Sequence, residues 1–231
     1  PALTPTTDMS TVDRVHFNND TATAVTKGPL SASKSYLAAT SNVNFGYFGG
    51  GSIPYIGDIT TVDRLDYSND NVALAPKGRL SLARIRLTAT GNNDFGYFAA
   101  GSPGPRTTID RIDYSNDTAT AVEKGPLSAA KYSMAAIGNQ SFGYFSGGRP
   151  APIGTKIERL DYSNDTAAAV AKGPLDNERF RHAAGGSADF GYFGGGDPGT
   201  TSKTSRIDYS NDTATASPKG NLSAGREELG G

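Results

Sequence analysis

The chain has 231 residues, of which 29 are glycine and 13 proline, and only 36% are hydrophobic. That balance suits short strands joined by tight turns and excludes a helical bundle, whose interior glycine and proline would break. A formal net charge of −1 gives no overall field to draw nucleic acid or acidic lipid, and the absence of cysteine excludes disulfides, thiolate metal centres and a cysteine nucleophile.

The chain opens on Pro1 rather than Met and shows no signal-peptide pattern, which reads as a processed product or a segment of a longer protein. No apolar run approaches the roughly 18 residues of a membrane helix. The first recognisable phrase ends in Phe17. It returns at Tyr67, Tyr114, Tyr162 and Tyr209, in steps of 50, 47, 48 and 47 residues. Self-similarity at such a period is the mark of a repeat architecture.

Each unit predicts four short strands. An aromatic strand, Phe45–Phe48 with copies at Phe95–Phe98, Phe142–Phe145 and Phe190–Phe193, is followed by small residues that permit close backbone approach. Next comes a strand of the Val62–Tyr67 type. Its alternation puts Leu65 and Tyr67 on one face and Val62, Arg64 and Asp66 on the other. The repeated tyrosines are thus expected to be buried. Ser68-Asn69-Asp70 supplies a turn, and a strand of small residues follows, Thr118–Val122 in the third copy. Lys124-Gly125-Pro126-Leu127-Ser128 ends that strand with turn chemistry. The fourth strand is of the Leu37–Thr40 type, with copies at Leu87–Thr90 and Met134–Ile137.

Four antiparallel strands repeated radially describe a blade, so the expected fold is an all-β propeller of about five blades forming a single domain over residues 1–231. Aligning the units leaves the ring nine positions short of five 48-residue units, lacking one aromatic strand. An open sheet edge is a hazard. Three readings follow, in this order: a segment of a longer protein, a tolerated gap, or a strand donated by another chain.

The unit resembles the kelch repeat. The likeness lies in the glycines after the aromatic strand (Phe45 to Gly50), the following Asp66-Tyr67, and the basic Lys131 after the Pro126-Leu127 turn. Small residues near Thr120–Val122 stand where kelch units usually carry a Trp. The wording of the repeat also resembles tail-fibre-type repeat proteins of marine bacteriophages. These resemblances imply a kelch-like propeller in an extracellular or virion-associated setting.

Arg14, Arg64, Arg111, Arg159 and Arg206 occupy equivalent positions, as do Lys27, Lys77, Lys124, Lys172 and Lys219. With Asp66, Asp113, Asp161 and Asp208 on the same strand face, the arginines are expected to bridge neighbouring blades. The functional alternative is a ring of cationic sites for sulfated or carboxylated glycans. The Ser-Asn-Asp turns offer oxygen ligands but lack a calcium-loop spacing, and no metal or cofactor is expected. The histidines, His16 and His182, lie in different units and form no recognisable catalytic group. The expectation is a protein without catalytic activity.

Variation concentrates in the connection after the aromatic strand: Ser52–Thr60, Ser102–Thr108, Arg149–Lys156 and Asp197–Thr204. Unlike loops on a rigid scaffold suit recognition. The candidate ligand-binding residues there are Tyr55, Asp58, Arg106, Arg149, Lys156, Asp197 and Lys203. The reading is an adhesion or binding module meeting a surface glycan or protein through these loops, without nucleic acid or membrane insertion. Alternatives are a structural repeat protein that assembles with copies of itself or in a larger particle, and an enzyme with a site at the propeller mouth.

Overall fold

The computed structural model describes residues 9–150 and 154–228. Twenty short strands run in chain order: β1 (Asp13–Arg14), β2 (Val25–Thr26), β3 (Ala38–Ser41), β4 (Phe45–Gly49), β5 (Ser52–Ile53), β6 (Gly57–Asp58), β7 (Thr61–Asp66), β8 (Ala75–Arg79), β9 (Thr88–Gly91) and β10 (Phe95–Ala99). They continue as β11 (Ile109–Asp113), β12 (Val122–Glu123), β13 (Ala135–Gly138), β14 (Phe142–Ser146), β15 (Ile157–Asp161), β16 (Val170–Ala171), β17 (Ala183–Gly186), β18 (Phe190–Gly194), β19 (Thr204–Asp208) and β20 (Ser217–Lys219).

The strands form four antiparallel four-stranded sheets: sheet I (β3-β4-β7-β8), sheet II (β9 to β12), sheet III (β13 to β16) and sheet IV (β17 to β20). Two two-stranded pairs, β1-β2 and β5-β6, complete the set. Each sheet begins with the Leu-Ala-Ala type of strand and ends with the short strand of small residues. The repeat as written along the chain predicts the Leu-Ala-Ala strand last in its unit. It instead pairs with the aromatic strand that follows it, as in Ala39↔Phe48 and Ala136↔Phe145. A tight Asn turn explains this: Asn42 Oδ1 accepts from the backbone N–H of Asn44 and of Phe45, both at 2.9 Å.

The hydrophobic core lies between successive sheets. Tyr97 and Ile109 of sheet II pack with Phe145 and Leu160 of sheet III and with Tyr162, and the same layer recurs on either side. Both faces of the Asp-Arg strands are therefore covered: Val62, Asp63 and Leu65 are all buried. The repeated tyrosine is not the last residue of that strand. It opens a short 3₁₀ turn, as at Tyr114–Asn116. The aspartate before it, Asp113, accepts hydrogen bonds from the Ser115 N–H (2.9 Å) and hydroxyl (2.6 Å). The serine hydroxyl, above all, holds that carboxyl below its usual range. The aspartates expected to partner the arginines of neighbouring blades are thereby corrected, because Asp66, Asp113, Asp161 and Asp208 are occupied capping their own turns.

The arginines pair instead with the Ser-Asn-Asp turn of the next sheet. Arg64 Nη1 lies 2.7 Å from Asp117, Arg111 Nη1 2.8 Å from Asp165 and Arg159 Nη1 2.7 Å from Asp212. The repeated lysines Lys77, Lys124 and Lys172 reach the other oxygen of the same carboxylates at 3.6, 3.2 and 3.1 Å. The hydroxyls of Tyr47, Tyr97 and Tyr144 donate to them as well, at 3.2, 2.9 and 3.0 Å. Those rings stack on Tyr114, Tyr162 and Tyr209, with centroids 4.6, 4.6 and 4.9 Å apart. The same joint ties the β1-β2 pair to sheet I through Arg14–Asp70 at 2.5 Å and Lys27–Asp70 at 3.0 Å.

Glycine at these joints answers to steric need. The N–H of Gly125 donates to Asp165 O at 2.8 Å, so close that a Cβ there would lie 1.8 Å from Ala167 O. A Cβ on Gly220, the equivalent residue of sheet IV, would meet no atom of the described residues within 4 Å apart from its chain neighbours. Gly125→Ala is therefore expected to destabilise by about 1–3 kcal/mol or more, the usual range for forced overpacking. Gly220→Ala should stay within about 0.5 kcal/mol of the parent. Urea midpoints of the two variants in dilute solution check this, and equal midpoints would refute the joint as described.

The series runs from the β1-β2 pair through sheets I to IV, and among the described residues no strand pairing joins sheet IV back to the β1-β2 pair. Tyr67 is 44% exposed and Phe17 95% exposed, against 8% for Tyr114 and Tyr162. The expectation that the whole set is buried is corrected at Tyr67. Its equivalents stack on an aromatic-strand tyrosine of the preceding sheet, and the β1-β2 pair offers no such strand.

Candidate binding face

The inner strands β3, β9, β13 and β17 adjoin in series. Just before each, the backbone turns through a left-handed residue: Tyr36 (φ 56°), Arg86 (54°), Ser133 (55°) and Arg181 (55°), with Glu228 (54°) at the corresponding place after sheet IV. Non-glycine residues rarely adopt this conformation. Here a ladder holds them: Arg86 N–H donates to Tyr36 O, Ser133 N–H to Arg86 O, Arg181 N–H to Ser133 O and Glu228 N–H to Arg181 O, at 2.9–3.0 Å. The five residues surround one depression of about 350 Å³. Beneath it, a cavity of about 200 Å³ is lined by all four inner strands.

The variable loops rim the same mouth. Ser52 bridges to Ser35, Ser102 to Ile85, Arg149 to Tyr132 and Asp197 to Phe180, so each loop starts beside the residue preceding a ladder member. Tyr55 is fully exposed at the tip of the β5-β6 hairpin, and Asp58 sits in β6. The Arg106 backbone bridges to Lys131, while its Nε is buried without a hydrogen-bond partner. The Arg149 guanidinium lies 4.1 Å from the Phe180 ring centroid. Lys156, though exposed, is engaged with the Ser128 hydroxyl and with Glu158, 3.7 Å away. Asp197 approaches Arg181 at 3.8 Å. Lys203 contributes its carbonyl, which accepts from Arg179 Nη1 at 3.0 Å. Arg149 and Asp197 thus stand at the mouth, Tyr55 stands at an exposed loop tip, and Lys156 and the Lys203 backbone serve the scaffold. Residues 151–153 of the third loop lie outside the described residues.

Sequence reading missed the mouth residues themselves. Their signal was available: one aligned position holds Tyr36, Arg86, Ser133, Arg181 and Glu228 amid otherwise repeated surroundings. Their electrostatics differ. Arg181 pairs with Glu227 at 3.2 Å and Glu228 at 3.3 Å. Arg86 has no ion-pair partner among the described residues. Its guanidinium lies 5.0 Å from the Tyr36 ring centroid, and its Nε lacks a hydrogen-bond partner.

Deeper in, His182 replaces the Leu37, Leu87 and Met134 of the other inner walls. Its Nε2 is 2.8 Å from the Ser146 hydroxyl, and its Nδ1 has no partner. Burial, helped by the Arg179 charge, pushes the imidazole down to about 3. The neutral ring is favoured in the folded state, so stability should fall as pH drops from about 6.5 towards 3. His182→Met is expected to flatten that part of the stability curve relative to the parent, read by urea unfolding at stepped pH. An unchanged slope would count against the buried neutral imidazole.

The four-stranded unit also explains the basic residue four positions after the repeated leucine, Arg84 after Leu80 and Lys34 after Leu30. Arg84 is fully buried and reaches Asp110 at 2.7 Å along with the carbonyls of Ala100, Thr108 and Phe98. Lys34 does the same with Asp63 at 2.8 Å. Neither the family models nor the curated proteins compared with this chain give a match.

Proposed function

We propose that the chain is a kelch-like β-propeller module of about five blades that binds an acidic surface glycan at the mouth of its inner strands. One observation carries this reading. The repeated arginines and lysines of the β1-β2 pair and of sheets I to III are consumed in sheet-to-sheet joints, while the aligned position at the mouth differs between neighbouring units and leaves Arg86 without an ion pair among the described residues, beside Tyr36. A carboxylate or sulfate fits a guanidinium with open donors. The exposed rings of Tyr36, beside Arg86, and of Tyr55, at its loop tip, offer stacking surface for a sugar ring. Loops of unlike length around one depression favour a broad, multi-contact ligand over a small enclosed one. No step in this reading requires catalysis.

Replacing the loop tips, residues 54–57 and 103–105, with Gly-Ser turns while keeping Ser52, Ser102 and Thr108 should leave the sheets folded, because those three hold the bridges and the Arg84 contact and loop length costs little entropy. Retention on immobilised sulfated or carboxylated glycans should be lost. Full retention by the folded variant would place recognition elsewhere.

A further inference from the structure

The chain repeats one joint and leaves its two halves unmatched at the ends of the series. The donor half is an acid-binding cradle of an arginine, a lysine, a tyrosine hydroxyl and a glycine N–H. The acceptor half is an Asn-Asp turn. Sheet IV carries a further cradle in Arg206, Lys219, Tyr192 and Gly220, none of which has a carboxylate partner among the described residues. Tyr192 is 36% exposed, whereas Tyr47, Tyr97 and Tyr144 are at 0%. Arg206 is nonetheless already posed. Its guanidinium lies 4.2 Å from the Phe190 ring centroid, as Arg64, Arg111 and Arg159 lie 4.4, 4.3 and 4.1 Å from theirs. At the far end of the series, Asp20 stands where Asp70, Asp117, Asp165 and Asp212 stand, on an exposed turn beside the exposed Phe17.

We infer that the sheet IV cradle docks the Phe17–Asp20 turn of a second copy of this chain, giving head-to-tail association. The chain itself supplies the template four times, with Arg, Lys and glycine N–H all converging on one aspartate at each joint. The two faces are complementary in charge, cationic on sheet IV and anionic at Asp20, and in shape, with Phe17 placed to stack on Tyr192 as Tyr162 stacks on Tyr97. Among the described residues of one chain the two surfaces do not meet: apart from its chain neighbours, none of them brings an atom within 4 Å of a Cβ built on Gly220. A cradle already held by cation–π contact needs little reordering on docking. Because the faces differ, the association is heterologous and adds copies in one direction.

The test is sedimentation velocity with two variants. Asp20→Lys destroys the turn and leaves the cradle. Gly220→Ala blocks the cradle sterically, since a Cβ at the matching Gly173 would lie 1.8 Å from Ala214 O, and leaves the turn. Asp20 is exposed with no side-chain hydrogen bond or ion pair among the described residues, and a Cβ on Gly220 meets open space, so thermal midpoints serve as the folding control. The parent should grow in mass with concentration, and each variant alone should stay at 24.0 kDa. An equimolar mixture should form a one-to-one pair of twice that mass and stop there. A parent that remains a monomer throughout, variants that still associate, or a mixture that stays monomeric would each overturn the proposal. A monomeric parent whose midpoint falls on Asp20→Lys would assign the cradle to the chain's own turn.

Discussion

Asp110→Ser is expected to destabilise the protein by about 3–5 kcal/mol, the range for stripping one partner from a buried ion pair. Adding Ser81→Asp should recover most of the loss. The reason is written in sheet IV. In sheet II, Asp110 on the strand binds both Arg84 (2.7 Å) and the hydroxyl of Ser81 on the turn (2.7 Å). In sheet IV the two residue types have exchanged places. Asp176 stands on the turn, Ser205 stands on the strand, and the two still bond to each other. Arg179 touches both, at 3.2 Å from Asp176 and 2.6 Å from Ser205. The buried cation needs a carboxylate in reach but accepts it from either side. A double-mutant cycle in urea should therefore show a coupling of several kcal/mol, well above the scatter for independent sites. Additive losses would mean that sheet IV tolerates its exchange through some other compensation.

Asp165→Ala is expected to cost about 3 kcal/mol, because one carboxylate serves three donors. Its loss leaves Arg111, Lys124 and the buried Tyr97 hydroxyl without their acceptor between sheets II and III. The tyrosine stack alone cannot replace it, at about 0.5–1.5 kcal/mol beyond area burial. The same substitution at Asp20, which has no such partners, should be close to neutral in dilute solution. Thermal melts of the two variants check this. Similar losses at both sites would contradict the assignment of Asp165 to a joint.

The repeat, the four strands and the all-β class were legible in the sequence because aromatic strands, Asn turns and Gly-Pro turns recur at a fixed period. The partners of the arginines were not. Asp66 sits two residues from Arg64 on the chain, whereas Asp117 is brought beside it only by sheet stacking. The strand order within a sheet was also hidden, since a repeat can be cut at any point along its period. Tyr67 was misplaced because burial there depends on the neighbouring sheet and not on the residue's own strand. At the site, the loops were found through their unequal lengths. Tyr36, Arg86 and Arg181 were passed over because they sit inside a nearly repeated stretch, and only the backbone ladder shows that they share one rim.

The central claim is that the joints hold the fold while the mouth recognises a ligand. It is tested most directly by a glycan array probed with the parent protein and with Arg86→Ala side by side. Arg86 makes no ion pair among the described residues, so the variant should melt with the parent. The account predicts that the parent retains carboxylated or sulfated glycans and that Arg86→Ala loses them at least tenfold, the scale of one charge-assisted contact. A parent that retains none of them, or a variant that retains the same glycans at full strength, would contradict it.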